Sequence, residues 1–197
     1  MLVRGDEART LFTAMNTGHD GCMGTVHANT ASETIVRLTT PPMNVDPMML
    51  TALDIIIMHQ RMSSKEYGTI RRIVEISEIA GLERDRPRLN TIFRWDAGAR
   101  ALKETGVPSK LREKIASASG IALKKFDEIV KERQEILEGL VLKGYRDVKT
   151  VSKVIQNYYR IKALEREEEE AWEEEEGLEK QSEKRRSITG STSSGKK

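Results

Sequence analysis

Leu11, Phe12 and Met15 recur at helical spacing between Asp6 and Gly18, which predicts a first helix over Glu7–Asn16 with Asp6 as N-cap and Gly18 as its stop. Cys22 to Val26 is a short apolar run and reads as a buried strand. Thr30 or Ser32 can open a second helix, with Ile35, Val36 and Leu38 facing inward and the Pro41-Pro42 pair ending it. The stretch PPMNVDPMML reads as a loop feeding a short helix that stops near Leu53. Its methionines, Met43, Met48 and Met49, suit core filling or a flexible contact surface.

From Asp54 the period changes. DIIIMHQRM reads as a strand, KEYG as a turn, and GTIRRIVEISEIAGL as a strand in which Val74, Ile76 and Glu78 alternate cleanly. RLNTIFRWD alternates too. Asp96-Ala97-Gly98 signals a turn, and ARALKE returns. The stretch from Asp54 to about Glu104 is thus an antiparallel meander. After Gly106 the pattern is helical, with Pro108 suited to a first helical position. Ala122–Val141 carries Leu123, Phe126, Ile129, Val130, Leu137 and Leu140 on one face. Gly144 breaks it, and Asp147 can cap a further helix through Val148, Val151, Ile155 and Tyr158.

Beyond Lys162 the composition shifts. EREEEEAWEEEE is an acidic block and KRRSITGSTSSGKK a basic, Ser/Gly-rich end. Both lack core-forming residues, so residues 165–197 read as a charged, disordered tail, with a solvated helix extension the economical form of the acidic run over Glu165–Glu176 and docking to a basic partner the sharper alternative. The resulting division is an α/β part over residues 1–106, a helical region over 107–164, and the tail.

Charge narrows the function classes. Net charge is only +2 across 197 residues, so no overall pull toward nucleic acid is expected. The basic end lacks interleaved aromatics and adjoins the acidic block, which argues against nucleic acid a second time. One cysteine, Cys22, excludes an internal disulfide and fits a reducing, cytoplasmic setting. The longest dense apolar segment, Leu53–Met58, is far short of the ~20 residues a transmembrane helix needs, and MLVRGDEAR is no signal peptide.

The candidate chemistry lies in TGHDGCMGTVHA, Thr17 to Ala28, where His19 and His27 stand among three glycines. Metal binding fits poorly: His19, Cys22 and His27 lack the spacings that typify zinc sites, and Cys22 falls in an apolar run where a thiol is usually a small hydrophobe. The plainer reading has His19 satisfied at a helix end and His27 at a strand end. The sharper one has His27 projecting beyond a strand terminus, where ligands of open α/β sheets sit, and donating to a phosphate oxygen.

The run VRGDEARTLFTAMNTGHDGCMGTVHANTASETIVRL resembles the segment following the Walker B strand in the type II/IV secretion-system ATPases. TGHDGCMGTVHANTASET is similar to their histidine box, and LDIIIMHQR with the later strands is similar to the archaeal branch. The resemblance spans Val3 to Arg61 strongly, continues to Tyr159, and is absent from the tail. It implies a RecA-like, hexameric, cytoplasmic motor that couples ATP hydrolysis, with Mg2+, to secretion or to pilus or archaellum assembly. Membrane association would come through a platform protein. It implies that His27 approaches the γ-phosphate and that Arg4, His19 and Thr25 belong to the nucleotide site. Thr25 and Asn29 would orient the His27 ring. A salt bridge from Arg4 to Asp6 or Glu7 is the plain alternative for Arg4, and Arg61, Arg71 and Arg72 read as a solvated strand face.

The chain departs from that family in two places. No GxxxxGK[ST] loop occurs in it, and Met1 and Leu2 stand where the family's GEVRG element has its catalytic glutamate, so only Val3, Arg4 and Gly5 match. Phosphoryl transfer needs a phosphate cradle and acidic groups around magnesium. The expectation is therefore the C-terminal part of a motor, inactive alone, arising from a split gene or a start lying mid-motif. The alternative is a non-catalytic module that binds full-length motor subunits or the platform protein.

Overall fold

In a computed structural model the described residues are 2–19, 21–64 and 68–191. Met1, Asp20, the Lys65–Tyr67 part of the expected KEYG turn and residues 192–197 of the basic end lie outside them. The elements are α1 (Glu7–Asn16), α2 (Ala31–Thr39), a 3-10 turn at Met49–Ala52, β1 (Ile55–Ser64), β2 (Gly68–Glu83), β3 (Arg86–Asp96), β4 (Ala101–Glu104), α3 (Lys110–Ala118), α4 (Leu123–Leu142) and α5 (Val148–Ser191). The chain is mixed α/β. Its four strands form one antiparallel sheet in the order β1-β2-β3-β4. Two compact units divide it, Met1–Asp127 and Glu128–Lys197.

In the first unit, α1, α2 and the inward side of β1 bury one cluster: Val3, Ala8, Phe12, Ala31, Ile35, Leu38, Met43, Val45, Leu50, Ile56 and Met58. The alternation of β1 explains its share. Ile56 and Met58 are buried, whereas Ile55 and Ile57 are 37% and 55% exposed on the other side of the sheet. Each side chain such as Leu38 contributes about 1.5–3 kcal/mol by leaving water. Ser77, fully buried in β2, is satisfied by Glu75 Oε1 at 2.6 Å and Thr91 Oγ1 at 3.0 Å. The β1–β2 register carries one irregularity: Met58 faces Glu75 but His59 faces Ile73, so Val74 is an extra, bulged residue. Past it, Gln60 faces Arg72 and Arg61 faces Arg71, on a stretch of the hairpin that β3 does not flank.

Glycine ends three helices in one way. Gly18, Gly120 and Gly144 adopt φ of +87°, +66° and +72°. The next N–H turns back to the helix: His19 to Ala14, Ile121 to Ala116 and Tyr145 to Leu140. In the second unit, α4 and α5 meet through Glu132, which accepts from Lys162 Nζ at 2.9 Å and from the Tyr158 hydroxyl at 3.4 Å. Arg133 lies 5.7 Å from the centre of the Tyr159 ring. Asp147 caps α5 by accepting from Thr150 N at 2.8 Å.

Several expectations need correcting. Cys22–Val26 is not a strand: Thr25 alone makes a bridge, parallel to Leu2, because among the described residues this run meets only that short partner. Asp6 makes no side-chain cap; its carbonyl accepts from Arg9 N instead. Val36 is 58% exposed, on the solvent side of α2 beside the buried Ile35. Met43 is core, but Met48 is 61% exposed. Pro108 precedes the cap rather than opening α3, since Ser109 is the N-cap. The end expected to be disordered from Glu165 onward is continuous with α5 as far as Ser191, as the helix-extension reading of its acidic run has it.

Candidate functional site

The site is built around the segment Thr25–Asn29, which leads into α2. One end is held by Val3, whose N–H donates to the Thr25 carbonyl at 2.8 Å beside the parallel bridge from Leu2. The other end is held at Asn29. Its N–H and side-chain amide both donate to Glu33 Oε2, at 2.9 and 2.8 Å. Its carbonyl accepts from Gln60 Nε2 of β1 at 3.0 Å. Between these anchors Val26 and Ala28 pack half-buried against the core. Alternation then turns His27 outward, and it is exposed.

The entry to α2 explains the rigidity at Asn29. Thr30, extended at φ −140° and ψ 160°, accepts from Glu33 N through its hydroxyl at 3.0 Å. Glu33 reaches back past the cap to Asn29, a reciprocal arrangement close to a capping box. Its other oxygen accepts from Arg37 Nε at 2.8 Å. The Asn29 N–H, then the Arg37 and Asn29 side chains, hold the Glu33 carboxyl below its ordinary pKa of 4.5.

The four residues singled out from the sequence do not gather equally. The parallel bridge carries the chain from Leu2 toward Arg4 on one side and from Thr25 toward His27 on the other, so Arg4, Thr25 and His27 share one edge. Arg4 is exposed, and its side chain makes no ion pair among the described residues. Its N–H is what meets Glu7, donating to Oε1 at 2.7 Å. The N–H groups of Glu7 itself and of Arg4 hold the Glu7 carboxyl below its ordinary value. His19 lies apart. Its N–H closes α1, its Nδ1 is 3.4 Å from Thr17 Oγ1, and its ring faces a depression shared with Asp6, Arg9 and Thr13. Cys22 donates its thiol to the His19 carbonyl at 3.2 Å.

Beneath the segment lies a cleft of about 290 Å³ lined by residues such as Val3, Phe12, Thr25, Val26, Ile56 and His59. No lysine or arginine lines it, so it offers no fixed cation to a triphosphate. The donors that suit a phosphate, the His27 imidazole and the Arg4 guanidinium, stand on the outer edge. Magnesium does not fit the residues present. Both Glu33 oxygens are engaged by Asn29 and Arg37, and no group of three His, Cys, Asp or Glu among the described residues could hold a metal ion. Arg61, Arg71 and Arg72 are exposed on the β1–β2 hairpin. Gln60 went unnoticed in the sequence because only long-range register shows it reaching Asn29.

No helix among the described residues is long and apolar enough to cross a membrane. The chain is 34% identical over 157 residues to an uncharacterized protein of Methanocaldococcus jannaschii, a stretch covering 78% of this chain and 22% of that protein. A second uncharacterized protein of the same organism is 35% identical over 140 residues, covering 70% of this chain and 51% of its own length. The chain thus spans about a fifth of one curated relative and about half of the other. Residues 2–185 match the family described as type II/IV secretion system protein, and the chain belongs to that family.

Proposed function

We propose that this chain supplies the terminal-phosphate edge of a type II/IV secretion motor ATPase, a RecA-like machine that couples ATP hydrolysis to protein secretion or filament assembly. The observation that carries the reading is the Thr25–Asn29 segment, pinned at both ends with His27 turned outward, in a chain of this family. The imidazole donates to an oxygen of the γ-phosphate, and Arg4 adds positive charge beside it. Thr25 and Asn29 fix the backbone on either side. His19 serves the same loop by closing α1. ATP and its magnesium are gripped by a P-loop and acidic groups outside these 197 residues, in a hexamer of homologous subunits at a membrane platform protein. The cytoplasmic setting follows from that assembly.

Alone, the chain does not hold ATP tightly or hydrolyse it. The test incubates the purified 197-residue chain with ATP and Mg2+, then adds a P-loop-bearing subunit of the family. Turnover that appears only in the mixture, and falls with His27→Ala, supports the proposal. Tight ATP binding by the chain alone, or turnover by it above a His27→Ala control, overturns it.

A non-catalytic interaction role is favoured by one observation. Leu137, Val141 and Tyr159 of the second unit are 52%, 69% and 52% exposed, more apolar surface than a helix pair needs to show. Stable association with the motor subunit that leaves turnover indifferent to His27→Ala is the result expected of that role.

A further inference from the structure

We infer that Gln60 is a positioning residue for His27, holding the phosphate-facing loop to the first strand of the sheet; the inference rests on the proposed role of His27. Gln60 sits in β1, 31 residues from its partner, and its Nε2 donates to the Asn29 carbonyl at 3.0 Å. That carbonyl is two residues beyond His27. The loop has three residues between its fixed points: Val26 and Ala28 turn in and His27 turns out. Its opposite end is fixed by the Val3 N–H. Glu33 holds Asn29 to the start of α2, but this contact ties Asn29 only to the helix that follows it. Gln60 ties the loop to the sheet.

The strand does not need this amide for itself. Gln60 is exposed, and its backbone pairs with Arg72 in the β1–β2 ladder. Arg72, the residue opposite, directs Nη1 to the Arg71 carbonyl at 3.0 Å and gives Asn29 no second donor. Met58, two residues earlier on the same side of β1, is buried in the core. The strand that carries the tether is therefore anchored, and this hydrogen bond passes that anchorage to Asn29, beside the packing of Val26 and Ala28 on the core. A displacement of the β1–β2 hairpin reaches His27 by the same route.

The requirement is for a donor. Gln60→Leu removes it, and Gln60→Glu replaces it with a carboxylate facing a carbonyl oxygen. Gln60→Lys keeps a donor of sufficient reach. Nitrogen-15 relaxation on the full chain reads the result. Wild type and Gln60→Lys are expected to show rigid backbone at His27 and Asn29, with order parameters near ~0.85, and Gln60→Leu and Gln60→Glu a fall toward ~0.6. The denaturation midpoint stays unchanged in all three variants, since no buried group is altered. In the mixture with the P-loop-bearing subunit, kcat falls about ten- to a hundredfold in Gln60→Leu and Gln60→Glu with KM for ATP unchanged, and Gln60→Lys restores it. Order parameters at His27 that stay at the wild-type value in Gln60→Leu overturn the inference. Lost order with unaltered turnover leaves the tether standing and removes the phosphate role of His27.

Discussion

The carboxylate of Glu78, buried in β2, accepts a hydrogen bond from the hydroxyl of Ser109, the N-cap of α3. The Lys110 N–H donates to the second oxygen of Glu78 at 2.8 Å, so the positive end of the helix is seated on a strand carboxylate. Lys114 adds an exposed ion pair with Asp54 at 2.8 Å. One buried acid thus fastens α3 to the sheet.

Glu78→Gln turns an amide N–H toward donors and is expected to cost about 2 kcal/mol, in the range for hydrogen bonds to a charged group. Ser109→Ala, which removes the cap and the hydroxyl's hydrogen bond but leaves the Lys110 N–H on Glu78, is expected to cost less, about 1 kcal/mol. Urea denaturation of the full chain measures both. Equal losses would contradict the seat described above.

The two faces of α2 give a paired prediction. Leu38 is 2% exposed and Val36 58%. Leu38→Ala should destabilise by about 2–5 kcal/mol through lost burial and a residual cavity. Val36→Ala should stay within about 0.5 kcal/mol, as surface changes do. A comparable loss at the two positions would mean that α2 is rotated about its axis.

Glu33 gives the pH dependence. Its carboxyl is held below the ordinary 4.5 by the Asn29 N–H first and then by Arg37 and the Asn29 amide. The folded state therefore favours the ionised form. Its stabilisation is fully present above pH 4.5 and is lost as pH falls through the lower, folded pKa. Protonation frees the N–H of Asn29, so disorder at residues 25–29 should set in within the same acidic window. Carbon-13 titration of Glu33 beside amide signals of the loop tests this. Glu33→Gln should flatten that part of the stability–pH curve, and an unchanged curve would count against the contact.

Much of this was legible in the sequence, for identifiable reasons. Glu7–Asn16 was readable because Leu11, Phe12 and Met15 form a stripe and Gly18 supplies the only backbone that turns the chain there without strain. The meander was readable because Val74–Glu78 and Arg88–Asp96 alternate between turn signals. Cys22–Val26 misled because an apolar run has strand composition whether or not it finds a ladder, and only Thr25 bridges one. Val36 misled because it lies one step round the helix from Ile35, on the side away from the buried Ala31, Thr34 and Leu38. The acidic stretch was readable as a solvated helix extension, and α5 runs through it, with local contacts such as Lys162 with Glu165 at 2.8 Å. At the site, His27 was visible by its surroundings, but its tether was not. Gln60 gains meaning only from a partner 31 residues away.

The bulge at Val74 has a consequence for insertions and deletions. Because it shifts the pairing by one, an arginine rather than an isoleucine stands across from Gln60. Drawing Val74 into the ladder opposite His59 would slide the distal hairpin by one rung and bring Ile73 opposite the tether, whereas deleting it would remove the extra residue and keep Arg72 there. Substituting Val74 would leave that arrangement in place. What stands beside the loop is governed by whether this residue stays outside the ladder rather than by its identity.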